Sequence, residues 1–122
     1  MRGGVGPNLE ARFTAALLDD ADAPLAIDLA IDTGFAGFLA LPPAVITQLN
    51  LPSLGDIDVE LADGTISPRP CYLARIEWLG TIRMVRAFEL GNQALVGINF
   101  LWHHRLTIDV VVGRDVTIEP LP

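Results

Sequence analysis

The stretch of sequence that decides the fold is Leu25-Ala26-Ile27-Asp28-Leu29-Ala30-Ile31-Asp32-Thr33-Gly34. Apolar side chains recur at every second position, which predicts a β-strand with one buried face. A carboxylate that follows an apolar strand is costly to bury unless it is paired or hydrogen-bonded. Gly34 lets a backbone N–H approach this carboxylate, and Thr33 supplies a hydroxyl. Asp32 is therefore a candidate catalytic acid, although an aspartate that caps its own turn is the ordinary alternative.

The segments on either side of this strand also have the pattern of β-structure. Residues 9–18 are rich in apolar side chains and end at a cluster of turn residues, so they predict a hairpin with the strand before Asp32. Residues 35–41 predict another short strand. Pro43 then suits the first turn of a short helix, because a proline there has no N–H to satisfy.

A second hairpin is predicted further along the chain. Residues 57–61 alternate apolar and polar side chains and are followed by Asp63 and Gly64, a pair typical of tight turns. The return arm contains Pro68 and Pro70, which cannot donate hydrogen bonds to a neighbouring strand. We therefore expect this hairpin at the edge of a sheet or clear of it.

Most of the remaining chain reads as short strands. The sum is an all-β domain with one or two short helices, the second a possible helical turn through residues 102–105. Residues 1–8 contain three glycines and one proline in close succession and are predicted to be a flexible N-terminus. The predicted domain spans residues 9–122.

Composition excludes several classes of function. The net charge is −7, with 15 acidic residues against 8 arginines, so a nucleic acid is not an expected partner. The sequence has no basic amphipathic stretch and no apolar run long enough to span a bilayer, so no membrane partner is expected either. The hydrophobic fraction of 51% is high for a short chain and suggests burial against a second subunit.

Cysteine and histidine give no sign of a metal or redox site. The single cysteine, Cys71, cannot form an internal disulfide, so a cytoplasmic location is the expectation, and a buried strand residue is the simplest interpretation of its side chain. His103 and His104 are adjacent and lack other ligands at metal-binding spacing. We therefore expect neither a metal nor a cofactor.

Three elements in order resemble a known family. They are Asp32-Thr33-Gly34 between apolar strands, the hairpin tip Ala62-Asp63-Gly64, and the later Leu95-Val96-Gly97-Ile98-Asn99-Phe100-Leu101. This set is similar to the retroviral-type (retropepsin-like) aspartic proteases and their bacterial relatives, over roughly residues 9–119. The resemblance implies an acid-protease barrel with a flap hairpin, working as a homodimer on peptides or unfolded proteins.

The resemblance also implies a role for each matched position. Asp32 would be the catalytic carboxylate, and Thr33, Gly34, Gly97 and Asn99 would support its loop, although Gly97 could also be a plain strand-end glycine and Asn99 a helix cap. Ala62, Asp63 and Gly64 would form the flap over the substrate. Retroviral enzymes usually have alanine after Asp-Thr-Gly, whereas Phe35 and then Ala36 follow here, and these two would shape the substrate pocket.

The chain has one Asp-Thr-Gly, so a pair of catalytic aspartates requires two subunits. The predicted function is a homodimeric aspartic endopeptidase in which Asp32 of each subunit activates water. Two alternatives stay open at this point. The fold could serve as a non-catalytic dimerisation or peptide-binding module, or the chain could be an unrelated small β-barrel with Asp32 on its surface.

Overall fold

Ten strands and one short helix form the regular structure in a computed structural model that describes residues 1–122. In chain order they are β1 (Arg2–Val5), β2 (Ala11–Leu18), β3 (Pro24–Asp32), β4 (Leu39–Leu41), α1 (Pro43–Leu49), β5 (Ser53–Glu60), β6 (Ile66–Trp78), β7 (Thr81–Glu89), β8 (Leu95–Gly97), β9 (His104–Ile108) and β10 (Asp115–Pro120). The predicted all-β class is confirmed. The helix is not long enough to cross a membrane, nor is any other segment of the chain helical at that length.

The sheet closes into a barrel because β6 has two partners outside its own hairpin with β5. Its second part, residues 71–78, pairs with β7, and Ile76 pairs with Leu17 of β2. The closed ring runs β6, β7, β4, β8, β3, β2 and back to β6. Each of these six strands therefore has a neighbour on both sides within the ring, and β5 and β9 are the two strands left at the edges of the sheet.

Three aromatic rings occupy the centre of the barrel. The ring of Trp78 lies 5.6 Å from that of Phe13 and 4.9 Å from that of Phe100, the latter in an edge-to-face arrangement. Leu29, on the strand that leads to Asp32, is fully buried in the same cluster. The period-two pattern of β3 therefore directs one face into this core and leaves Asp28 on the outside.

The helix α1 begins where the sequence predicts. Pro43 occupies its first turn, and Ile46 and Leu49 are its buried residues. It ends at Asn50, which adopts the left-handed conformation with φ of 49°. The second predicted helical turn is absent: residues 98–103 form consecutive turns and β9 already begins at His104.

The N-terminal segment differs from its prediction as a flexible terminus. Arg2–Val5 form β1, which pairs with β2 on one side and with β10 on the other. A side chain at Gly3 would overlap the carbonyl oxygen of Arg12, so the glycine permits close contact between two strands. The glycines of this segment predicted flexibility, but the segment is a paired strand and Gly3 serves its packing.

Candidate active site

Asp32 is the last residue of β3, at the point where the chain leaves the sheet. The carboxylate is exposed, and its Oδ1 accepts a hydrogen bond from the backbone N–H of Gly34 at 3.0 Å. The Asp32 carbonyl accepts a second bond from the N–H of Phe35 at 3.1 Å, which tightens the turn. A Cβ at Gly34 would lie 3.3 Å from Asp32 Oδ1, so a glycine suits this approach. Thr33 is exposed beside it.

The segment that follows β8 holds this loop from below. Gly97 is the register partner of Asp32 in the parallel pairing of β3 and β8. The backbone N–H of Ile98 donates to the carbonyl of Phe35 at 2.8 Å. Asn99 donates from its side-chain Nδ2 to the carbonyl of Ala36 at 2.7 Å. The structure thus places Gly97 and Asn99 against the Asp32 loop, where the family resemblance implied that they would lie.

Phe35 packs so closely against Gly37 and Gly97 that neither position has space for a side chain. A Cβ on Gly97 would overlap the carbonyl oxygen of Gly37 and lie 2.6 Å from the carbonyl oxygen of Phe35. A Cβ on Gly37 would meet the ring of Phe35 itself. The ring also lies 6.4 Å from that of Phe88 on β7, edge to face. The bulky residue after Asp-Thr-Gly is therefore packed down onto a glycine floor.

The hairpin of β5 and β6 covers this floor. Its tip is a three-residue loop, Ala62, Asp63 and Gly64, in which the N–H of Leu61 donates to the carbonyl of Thr65 at 2.8 Å. Within the tip only Gly64 has positive φ, at 85°, so the predicted tight turn forms with three residues in the loop and a glycine in its last position. As predicted from Pro68 and Pro70, the hairpin lies at the edge of the sheet, with β5 outermost.

Asp63 stabilises the tip through Thr65. Its Oδ1 accepts hydrogen bonds from the Thr65 hydroxyl at 2.6 Å and from the Thr65 backbone N–H at 3.0 Å. These two bonds, the hydroxyl first, lower the pKa of Asp63 below its ordinary value of 3.8. The ionised form is the one that accepts both bonds, so they order the tip above pH 3.8 and are lost as the pH falls through the lowered pKa.

We therefore expect Thr65→Val to raise the pKa of Asp63 toward 3.8, because the variant keeps the backbone N–H but loses the hydroxyl. A carbon-detected NMR titration of the side-chain carboxyl groups measures this directly. Thr14→Val, which removes an exposed hydroxyl on β2, is the control and should leave the titration of Asp63 unchanged. An Asp63 that titrates identically in wild type and Thr65→Val would contradict the assignment.

A cavity of about 360 Å³ lies between the floor and the hairpin. Seven of its ten lining residues are hydrophobic. The loop supplies Asp32, Gly34, Phe35 and Ala36; the hairpin supplies Val59, Glu60, Leu61 and Ala62; and Leu90 and Leu95 form one side. The carboxylate of Asp32 therefore opens into a cleft whose walls are mostly apolar.

The sequence interpretation found only part of this lining. Asp32, Gly34, Phe35, Ala36 and Ala62 were expected there, whereas Asp63 and Gly64 lie at the tip and do not line the cavity. Val59, Glu60, Leu61, Leu90 and Leu95 were missed. The alternation over residues 57–61 could have revealed Val59 and Leu61. Nothing local to Leu90 and Leu95 marks them, because they lie at the two ends of the β7–β8 connection and reach the cleft through strand pairing.

His104 and Cys71, two other side chains that could take part in chemistry, have structural contacts away from the cleft. His104 Nε2 accepts a hydrogen bond from Trp78 Nε1 at 3.0 Å, and His104 Nδ1 lies 2.8 Å from the carbonyl oxygen of Trp102. These contacts fit a neutral imidazole whose Nδ1 carries the proton. Cys71 is buried in β6, and desolvation raises the pKa of its thiol, as expected for an unreactive strand residue.

Comparison with known proteins identifies the architecture. The chain is similar to EIAV protease, a retroviral protease solved in complex with the inhibitor HBY-793, with a TM-score of 0.54 and 22% sequence identity. The superposition covers 80% of this chain and 92% of the viral one. The fold is retropepsin-like. No protein-family model and no curated protein sequence matches the chain. The retropepsin-like fold predicted from the ordered motifs is thereby confirmed.

Proposed function

We propose that this chain is one subunit of a homodimeric aspartic endopeptidase, with Asp32 from each subunit forming the catalytic pair. The observation that carries the proposal is the position of Asp32. It stands exposed at the end of a buried strand, with its carboxylate held by Gly34, and it faces a mostly apolar cleft beneath a hairpin. Similarity to a protease with this fold supports the same activity here.

The proposed reaction needs two carboxyl groups in different protonation states. Two carboxylates about 3 Å apart cannot both be ionised, so aspartic proteases as a class hold one proton between the pair. The ionised group takes a proton from a bound water as the oxygen of that water attacks the scissile carbonyl carbon. The protonated group gives its proton to the carbonyl oxygen, so that a tetrahedral diol forms. The first group then passes the proton it took from water to the nitrogen, the second takes a proton back from a hydroxyl of the diol, and the C–N bond breaks to give a carboxylic acid and an amine.

A second copy of the chain supplies the missing carboxyl group. One subunit contributes one Asp-Thr-Gly, and a twofold axis through the site brings the Asp32 of the partner beside it. In this arrangement Gly34 holds each carboxylate in place, Thr33 bonds to the loop of the partner, and Gly97 with Asn99 keeps the loop rigid. Residues 9–122 form the protease domain in this proposal, with β1 completing its sheet.

The cleft favours an extended peptide with uncharged side chains beside the cleaved bond. The outermost strand β5 has an unpaired edge to which a peptide backbone can add. Val59, Leu61, Leu90 and Leu95 offer apolar contacts to its side chains. The hairpin tip would act as the flap that closes over the substrate and excludes water. The single, buried cysteine is compatible with work in a reducing compartment such as the cytoplasm.

The direct test is cleavage of unfolded casein and of a peptide library between about pH 3 and 7, the range in which such carboxyl pairs hold one proton. Mass spectrometry of the products should find cuts between apolar residues. The specific rate should fall when the protein is diluted, because a dissociated subunit has half of the catalytic pair. Cleavage whose specific rate is independent of dilution would contradict a shared site.

A second candidate function is a peptide-binding or dimerisation module that no longer cuts. Phe35 favours it, because a bulky residue directly after Asp-Thr-Gly departs from the alanine usual in retroviral enzymes. The two prolines of the flap arm favour it too, since they restrict a hairpin that must move. This candidate predicts peptide binding without turnover, and an Asp32→Ala protein that still binds and dimerises.

A further inference from the structure

Five exposed aliphatic side chains lie around the end of the sheet where Asp32 stands. Their exposed fractions are 57% for Leu9, 44% for Ile98, 62% for Val110, 57% for Val111 and 55% for Val112. We call this set the apolar rim. Three consecutive exposed valines are unusual in a surface turn, where polar residues and glycine are the rule. Apolar side chains gathered beside a candidate active site make this surface a candidate interaction site.

Strand register places the rim beside Asp32. Gly97 is level with Asp32 on β8, so Ile98 flanks the site on that side. On the other side, β2 pairs with β3 through Arg12 and Ala30, so Leu9 precedes β2 at the Asp32 end of the sheet. The sheet continues through β1 to β10, three strand spacings from β3 or about 14 Å.

The valine turn is fixed at this same end by hydrogen bonds to β1. The N–H of Gly113 donates to the carbonyl of Val5 at 2.9 Å, and the N–H of Val5 donates to the carbonyl of Arg114 at 3.0 Å. Val5 is level with Ala11, at the start of β2. The turn is closed by the N–H of Arg114, which donates to the carbonyl of Val111 at 2.9 Å. These hydrogen bonds fix the backbone of the turn, on which the three valine side chains are exposed.

The chain ends are already paired within one subunit. The amino group of Met1 donates to the carbonyl of Ile118 at 3.1 Å, and the N–H of Leu121 donates to the carbonyl of His103 at 2.8 Å. Strand β1 has neighbours on both edges. An exchange of chain ends between two subunits would have to break these bonds, so at the Asp32 end this subunit presents side chains to a partner and not a free terminal strand.

We propose that the apolar rim is the surface on which a second copy of this chain docks, bringing the two Asp32 carboxyl groups together. The inference rests on the proposed function, since a catalytic pair needs the twofold axis to pass close to Asp32. A twofold interface uses the same patch on both subunits, and an aliphatic patch is complementary to itself. Two chains of net charge −7 repel each other elsewhere. Asp109 and Arg114, which flank the valines, neutralise each other at 3.4 Å.

The test measures association by sedimentation velocity over a concentration series. Val111→Asp puts a charge into the rim and should raise the Kd of the dimer by at least about tenfold. The matched control is Met84→Asp, which changes a side chain of similar exposure, 63%, on β7 outside the rim, and should leave the Kd within about twofold of wild type. Thermal melting by circular dichroism confirms that both variants are folded.

Measuring both dimer association and peptide cleavage distinguishes failure of the rim proposal from failure of the protease proposal. Weaker association in Val111→Asp but not in Met84→Asp supports the rim, even if no variant cleaves a peptide. A Val111→Asp protein that dimerises as tightly as wild type overturns the rim, and if it also cleaves, the protease proposal stands without it. Equal weakening by Met84→Asp also overturns the rim, since the effect would then reflect added charge alone. A wild-type protein that stays monomeric overturns both.

Discussion

Asp32→Asn is expected to lower kcat/KM for peptide cleavage by at least about 10²–10⁴-fold, the usual contribution of positioned acid–base catalysis. Asparagine has nearly the same shape but can neither take a proton from water nor give one to a carbonyl. In a homodimer the single substitution removes both carboxyl groups at once. Because Asp32 is exposed, the variant should fold and dimerise like wild type, which circular dichroism and sedimentation check.

Asp28→Asn is the matched control for this variant. It makes the same chemical change four positions earlier on β3, outside the cleft, where Asp28 Oδ2 accepts a hydrogen bond from Arg12 Nε at 2.9 Å. This exposed ion pair is worth less than about 1 kcal/mol, so activity should be retained. Cleavage that survives in Asp32→Asn, or that Asp28→Asn removes equally, would exclude Asp32 as the catalytic acid.

Mixing wild-type and Asp32→Asn subunits tests whether the two aspartates act together. If both carboxyl groups are needed, activity follows the square of the wild-type fraction, so an equal mixture after subunit exchange should keep about a quarter of the activity of wild type alone. Independent sites would keep about half. The measurement is the initial rate at fixed total protein, after unfolding and refolding the mixture.

Gly97→Ala is expected to destabilise the protein by about 3 kcal/mol and to abolish activity, because the new methyl group has no space. The added Cβ would overlap the carbonyl oxygen of Gly37 and lie 2.6 Å from that of Phe35. Both obstacles are backbone atoms of the catalytic loop, so relief requires that the loop itself move. We expect a drop in Tm of roughly 10 °C by circular dichroism.

Gly4→Ala is the control for this substitution. It also adds a methyl group to a strand glycine, but there the nearest atom is the carbonyl oxygen of Arg114 at 3.7 Å, an ordinary contact. Its Tm should stay within a few degrees of wild type, and its cleavage rate should be unchanged. If Gly97→Ala melted and cleaved like Gly4→Ala, Gly97 would not be what supports the Asp32 loop.

Features that depend on residues close together in the sequence were predicted, and features that depend on residues far apart in the sequence were not. The hairpin of β2 and β3, the start of α1 at Pro43 and the edge position of the proline-bearing hairpin all depend on neighbouring residues, and each was predicted. Gly3 of β1 was misinterpreted because it permits close contact with Arg12, on a different strand. Of the one or two short helices predicted, one forms. The possible turn through residues 102–105 does not, because β9 takes up the chain at His104 to pair with β10.

The sequence by itself determined the class of fold and the candidate acid, because period-two alternation and the Asp-Thr-Gly turn are each contained in a few consecutive residues. Only the tertiary structure decided what surrounds that acid. The parallel pairing of β8 with β3 brings Leu95 to the strand that leads to Asp32, and a backbone bond from Leu90 to Leu41 brings Leu90 to the same cleft. Strand register puts the valine turn at the same end of the sheet. Such neighbours depend on hydrogen-bond register between strands far apart in the chain, which no local pattern encodes.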